Sequence, residues 1–188
     1  GGKCYVYLMG TPNLGCSIRE NQADKLGLYA FDDCDDMAIM AAPGLTDVQQ
    51  KEVLEHCDIR QDRFAILDGP IVSDGGMEIP ASEKGYGAMY VPWFKATKPS
   101  WFVGNQDHIK VTGANRRKLI KCEKGEVFVP PSGHIAGIMA RVDGERGVHK
   151  APANEILMGI TGLSQNINAI EQGQYNDRGI NVIRIFKD

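Results

Sequence analysis

The sequence predicts an α/β fold: a mixed, largely parallel sheet flanked by helices, with a protruding basic loop or hairpin. Three observations carry this reading. Short apolar runs alternate with helix-like stretches along the chain. Two of those runs, MAIMAAP (37–43) and RFAILDGP (63–70), are separated by a single helix-length segment. Residues 95–126 then interrupt the alternation with clustered positive charge.

MAIMAAP closes on Pro43 and Gly44, as a buried strand does. LTDVQQKEVLEHC follows, with Thr46 as N-cap, Gln49 at the capping-box spacing, and Leu45, Val48, Leu54 and Cys57 near one helical face. A helix of this length between two buried strands favours a parallel pair with a right-handed crossover. YGAMYVPWF (86–94) reads as a third strand entering a loop at Pro92, and residues 95–126, broken by Gly104, Gly113 and Gly125, as a loop or hairpin excursion.

After Pro130 and Pro131, Ser132 is placed to cap a helix in which Ile135, Ile138, Met139 and Val142 fall at i, i+3, i+4 and i+7. Gly133 and Gly137 in that helix cost about 1 kcal/mol each relative to Ala, so each is expected to mark close approach of a neighbouring backbone. The helix should stop near DGERG, and VHKAPANE should run extended because Ala151 precedes Pro152. ILMGITGL then suggests a strand, Asn168 with Glu171 a short helix ending near Gly179, and INVIRIF a last strand of β-branched residues.

A chain of 188 residues can bury about two thirds of its unfolded surface, so no disulfide framework is required. The sequence contains no apolar run of the roughly 18–20 residues that would cross a bilayer. Its net charge of −3 argues against a generic nucleic-acid binder, yet the charge is uneven. Between Lys95 and Lys124, eight Lys or Arg face only Asp107 and Glu123, a local +6 that leaves −9 for the remainder, including Asp32, Asp33, Asp35 and Asp36. These acidic and basic segments read either as solvated loops or as mating patches between subunits. The five cysteines form no CxxC pair, so free thiols are expected, and the opening GG and closing IRIFKD look like the edges of a longer chain.

Chemical motifs fare poorly. His56 and Cys57 are adjacent, but helical neighbours point about 100° apart and share a proton badly. Ser132 lacks a GxSxG context, and neither GxxxxGK[ST] nor GxGxxG is present. The histidines have no ligand spacing, and the acidic cluster lacks the glycine and terminal Glu of a calcium loop, so neither metal nor cofactor is expected. Arg141 and Glu145 are spaced to pair along a helix. A small α/β hydrolase or transferase using His134 or His149 as base remains the alternative function.

One stretch is far more specific. VPPSGHIAGIMARVDGERGVHKAPAN (129–154) resembles the PPSG-x-x-AG-x-x-AR-x-D-x-x-RGV-x-KAPAN pattern of contractile phage tail sheath proteins. CDDMAIMAAPG (34–44), RFAILDGP, YGAMYVPW (86–93) and GINVIRIF (179–186) follow the same family order. The resemblance implies that residues 1–188 are the central α/β domain of a sheath subunit, as a fragment without the family's C-terminal domain. It implies no catalytic centre. The expected function is a helical lattice of hexameric rings around an inner tube, whose contraction drives the tube through a target envelope. The implied partners are other sheath subunits, the inner tail tube protein, and baseplate and tail terminator proteins, with no membrane and no direct nucleic-acid contact. The location would be a virion tail or a contractile particle made in the cytoplasm. Pro130, Pro131, Ser132, Gly133, Gly137, Arg141, Asp143, Arg146, Gly147, Lys150, Pro152 and Asn154 match the motif, and the resemblance makes them fold and assembly determinants.

Overall fold

A computed structural model describes residues 4, 18–19, 22–72, 82, 84–102, 108–113 and 116–186. The chain divides into two compact units, residues 1–67 with 80–88 and residues 68–79 with 89–188.

In the first unit, β1 (Ile39–Ala41) and β2 (Phe64–Asp68) pair in parallel, Ile39 opposite Phe64 and Ala41 opposite Ile66. Between them runs α1 (Asp47–Arg60), opened by the expected capping box: the Thr46 hydroxyl accepts from the Gln49 N–H, and the Gln49 side chain accepts from the Thr46 N–H. The expected face is buried at Leu54 and Cys57 and half-buried at Leu45, and only Val48 departs from it. Gln49, Val53, Leu54, His56 and Cys57 are buried, whereas Val48 is 65% exposed. Leu54 packs into a notch at Gly87, the first residue of β3 (Gly87–Val91): a Cβ there would run into the Leu54 side chain and sit 3.3 Å from the Ala65 carbonyl. Leu54 fills that notch, and Val48, about 120° from Leu54 and about 180° from Cys57 around the helix, faces outward.

Arg63, at the start of β2, is fully buried and ties down the acidic turn after the 3-10 helix Gly27–Phe31. Its guanidinium donates to the carbonyls of Phe31 (3.0 Å) and Cys34 (3.1 Å) and to both carboxylate oxygens of Asp62 (2.7 and 3.2 Å). Arg60 adds a bond to the Asp32 carbonyl and ion pairs to Asp35 and Asp62, and Lys25 meets Asp33. The acidic turn is therefore partly neutralised within its own unit.

In the second unit, the end of β3 runs parallel to β9 (Ile180–Val182), Met89 opposite Ile180. Here too a glycine permits close approach: a Cβ on Gly69 would strike the Val91 side chain, and the Gly69 N–H donates to the Tyr90 carbonyl at 2.9 Å. Gly133 and Gly137, where close approach was expected, face open space among the described residues.

The Val91–Pro92 peptide is cis, and the chain enters not a loop but β4 (Phe94–Thr97). Inside the 95–126 excursion, β5 (His108–Gly113) and β6 (Arg116–Lys121) form an antiparallel pair. β7 (Glu126–Val129) and β8 (Gly162–Leu163) then flank β4 in an antiparallel sheet ordered β7-β4-β8. Parallel pairs and an antiparallel sheet with three helices make the fold mixed α/β.

α2 (Ser132–Arg146) follows β7 and buries Ile135, Ile138 and Val142, the expected stripe. Residues 147–154 turn rather than extend: the Lys150 N–H donates to the Gly147 carbonyl, and Gly147 (φ +85°) and Asn154 (φ +59°) are left-handed. Only Gly162 and Leu163 of ILMGITGL pair as a strand, opposite Lys95 and Phe94 of β4. α3 (Ala169–Asn176) opens with the expected Asn168–Glu171 capping box and leads to β9.

The Arg63 fork generates a prediction. Arg63→Lys keeps the charge but leaves buried carbonyls without donors, since an ammonium cannot reproduce the planar fork; chemical denaturation should show a loss of about 2 kcal/mol or more.

Candidate functional site

The sheath-like motif gathers on α2 and the turns behind it. At the N-terminal end, Pro131 is the N-cap and makes no side-chain cap bond; Ser132 is the first helical residue instead of the expected cap. Its hydroxyl is committed elsewhere. The Ser132 N–H donates to Asp68 Oδ1 at 2.7 Å and the Ser132 Oγ donates to Asp68 Oδ2 at 2.8 Å. Both residues are buried, Asp68 at 4% exposure and Ser132 at 0%. The end of β2 thus caps α2 with a carboxylate, which satisfies a helix N-terminal N–H and places negative charge at the positive end of the helix. Burial pushes the Asp68 carboxyl up to about 6, with the Ser132 bonds acting in the opposite direction.

At the other end, Arg141 and Arg146 both reach Glu155, each at 3.3 Å, in place of the expected Arg141–Glu145 pair. Glu155 is mostly covered, with a side chain 15% exposed, while Arg146 is 55% exposed. Ion pairs this open contribute about 0.2–1 kcal/mol each, too little to hold the fold. The two arginines and Glu155 line an open cleft of about 660 Å3 with Asn154, Ile156 and Met158. Asp143 lends its carbonyl to the Gly147 N–H, and the Lys150 ammonium donates to the Ala151 carbonyl at 2.7 Å. Pro130 is half-buried and Pro152 exposed.

The residues proposed for chemistry are not brought together. His134 packs edge-on against Phe94, ring centroids 5.0 Å apart, and burial lowers its pKa. His149 is exposed and lies against the backbone of Gly147. Neither lines the cleft. Burial pushes the Cys57 thiol up to about 12, which leaves almost no thiolate near neutral pH, and Ser132 has no access to solvent. Among the described residues, no group of three or more His, Cys, Asp or Glu is placed to hold a metal ion, and no helix is long and apolar enough to cross a membrane.

The family model for the phage tail sheath protein central domain matches residues 21–188. The chain belongs to that family. The sheath fold also appears in the structural likenesses. The contracted helical sheath of the anti-feeding prophage (AFP) is similar with a TM-score of 0.57 and 26% identity, over 90% of this chain and 42% of that one. The contracted sheath complex of PVC, an extracellular contractile injection system, gives 0.54 and 28% identity, over 80% and 36%. A chain of the 6-fold symmetrised AFP baseplate gives 0.54 and 25% identity, over 80% and 35%. This sheath domain therefore spans well under half the length of the chains it matches. No curated protein matches it.

Sequence reasoning overlooks Asp68, Arg63 and Glu155. For Asp68 a signal exists: a lone carboxylate ends the apolar run RFAILD, where a buried charge needs a partner.

Two pH dependences follow. The folded-state pKa of Asp68 lies above its ordinary 3.8, so the folded protein holds that proton more tightly, and stability falls as pH rises from about 4 to about 6, by on the order of 3 kcal/mol. Asp68→Asn can still bond the Ser132 N–H and Oγ, so its unfolding free energy should lose this slope between pH 4 and 6. His56 acts in the opposite direction. Burial first, then Arg63, lowers its pKa, so stability that depends on the neutral ring declines as pH drops below about 6.5.

Proposed function

We propose that residues 1–188 are the central region of a contractile tail sheath subunit, a structural protein and not an enzyme. Copies stack as hexameric rings in a helical lattice around an inner tube, and contraction of the lattice drives the tube through a target envelope. Partners are neighbouring sheath subunits, the inner tube protein, and baseplate and terminator proteins at the ends. The particle is a phage tail or a related contractile particle assembled in the cytoplasm. One observation carries this reading: the likeness to a contracted helical sheath across 90% of the chain, joined to the family match over residues 21–188.

In this reading residues 130–154 serve as fold and assembly determinants with divided roles. Pro131 and Ser132 belong to the buried clamp on Asp68 and act on the fold. Arg141, Arg146, Lys150 and Asn154 lie where solvent reaches them and act on assembly, because their local pairs contribute little stability. Gly133 and Gly137 present a helix face without side chains, open to a neighbouring subunit. A subunit that contacts its neighbours through two different faces makes a heterologous interface, which closes into a ring where the rotation closes and propagates as a helix where it does not.

Electron microscopy of the protein expressed from its complete reading frame, beside residues 1–188 alone, tests the reading. Striated tubes from the former and dispersed monomers from the latter are expected. Absence of ordered polymers from both across a range of salt concentrations would refute it.

A further inference from the structure

We propose that His56 and Arg63 form an acid-sensitive latch: while the His56 ring is neutral, Arg63 holds residues 31–34 against the start of β2, and protonation of the ring releases them. The latch lies within the first unit and is independent of the sheath reading.

The two side chains meet away from solvent. His56 on α1 is 6% exposed and Arg63 2%, and His56 Nε2 stands 3.5 Å from Arg63 Nη1. That same nitrogen donates to the Phe31 carbonyl at 3.0 Å, while Nη2 donates to the Cys34 carbonyl at 3.1 Å. A guanidinium only donates, so the contact assigns the neutral ring: Nε2 accepts and the proton sits on Nδ1. A proton added to Nε2 turns that acceptor into a donor aimed at a donor. It also sets a second positive charge beside the first, in a place where water screens them poorly.

The surroundings oppose the charged ring. Burial acts most strongly, then Arg63; Arg60 from the end of the same helix and Arg19 act in the same direction, and Asp32 alone acts against them. The ring is therefore held neutral below its ordinary 6.5.

The segment 31–34 is the part free to yield. Arg63 keeps its charge and its place, because Asp62 accepts two bonds from it and those bonds hold the Asp62 carboxyl well below the usual range. α1 is fixed on either side of His56, by Leu54 in the notch at Gly87 and by buried Cys57. Residues 31–34, by contrast, are half-buried or exposed, and outside their own turn they are held by the Arg63 bonds and by one bond from Arg60 to the Asp32 carbonyl. A guanidinium displaced from His56 carries Nη1 away from Phe31. In the released segment's absence the ring takes up its proton at the ordinary 6.5, so the latch is fully closed above that pH and its closing equilibrium weakens by up to about tenfold per pH unit below it.

Hydrogen exchange read by mass spectrometry tests the latch, on unassembled protein from the complete reading frame. The reporters are the amides of Asp32, Cys34 and Met37, which donate within the turn, and the Ala65 amide, which donates to the Tyr86 carbonyl, is the control. Corrected for the intrinsic pH dependence of exchange, reporter protection should fall between about threefold and tenfold from pH 7.5 to pH 5.5, while Ala65 keeps its protection. His56→Gln supplies an acceptor oxygen that does not titrate and should abolish the fall; His56→Asn is the second variant if the first misfolds. Unchanged reporter protection in the wild type, an equal loss at Ala65, or a fall that persists in the folded variant would overturn the proposal.

Discussion

The second unit depends on one buried carboxylate. Asp68 ends β2, and both the Ser132 N–H and the Ser132 hydroxyl donate to its carboxylate. Desolvating a carboxylate is costly, and a fixed helix N-terminus offsets the cost only if it arrives in the right place. The bond thus fixes where α2 begins, and α2 carries everything downstream: the Ile135–Ile138–Val142 face in the core, Arg141 and Arg146 at its far end, and the Gly147 turn. The same commitment removes Ser132 from any chemistry. What resembles a polar, histidine-containing active loop in the sequence is a helix start held by a carboxylate, with His134 edge-on against Phe94.

The first unit solves a similar problem with the opposite charge. Arg63 is buried and collects the carbonyls of Phe31, at the end of the 3-10 helix, and Cys34, in the turn after it, together with the carboxylate of its neighbour Asp62, so the segment that carries four aspartates is anchored at its base. The buried charges of Asp68 and Arg63 are each received by several directional bonds. Exposed ion pairs, by contrast, contribute little to the fold, and in the proposed sheath reading they are the polar surface left for contacts between subunits.

Legibility followed distance along the chain. The capping boxes at Thr46 and Asn168 join residues three apart, and the apolar stripe of α2 repeats within four, so spacing alone reveals them. Ser132 reads as a cap for the same reason and misleads, because its true partner lies 64 residues away. Val48 stands about 120° from Leu54 and about 180° from Cys57 around the helix, so its exposed position follows from periodicity once those two are buried, whereas the notch at Gly87 that receives Leu54 belongs to another element and is not legible in the helix itself. β4 and β7 escape notice because each has only four residues and Lys95 and Glu126 break their apolar pattern. Arg141 and Arg146 are named by the motif, but their shared carboxylate, Glu155, sits one residue beyond it.

Cryo-electron microscopy of the assembled particle made by the complete reading frame addresses the central claim most directly. The account predicts repeated copies of this fold on a helical lattice around a tube, with the Asp68–Ser132 clamp preserved in every copy and the face at the end of α2 covered by a neighbour. Particles whose lattice contains no copy of this fold, or copies in which that face is open to solvent throughout, would contradict it.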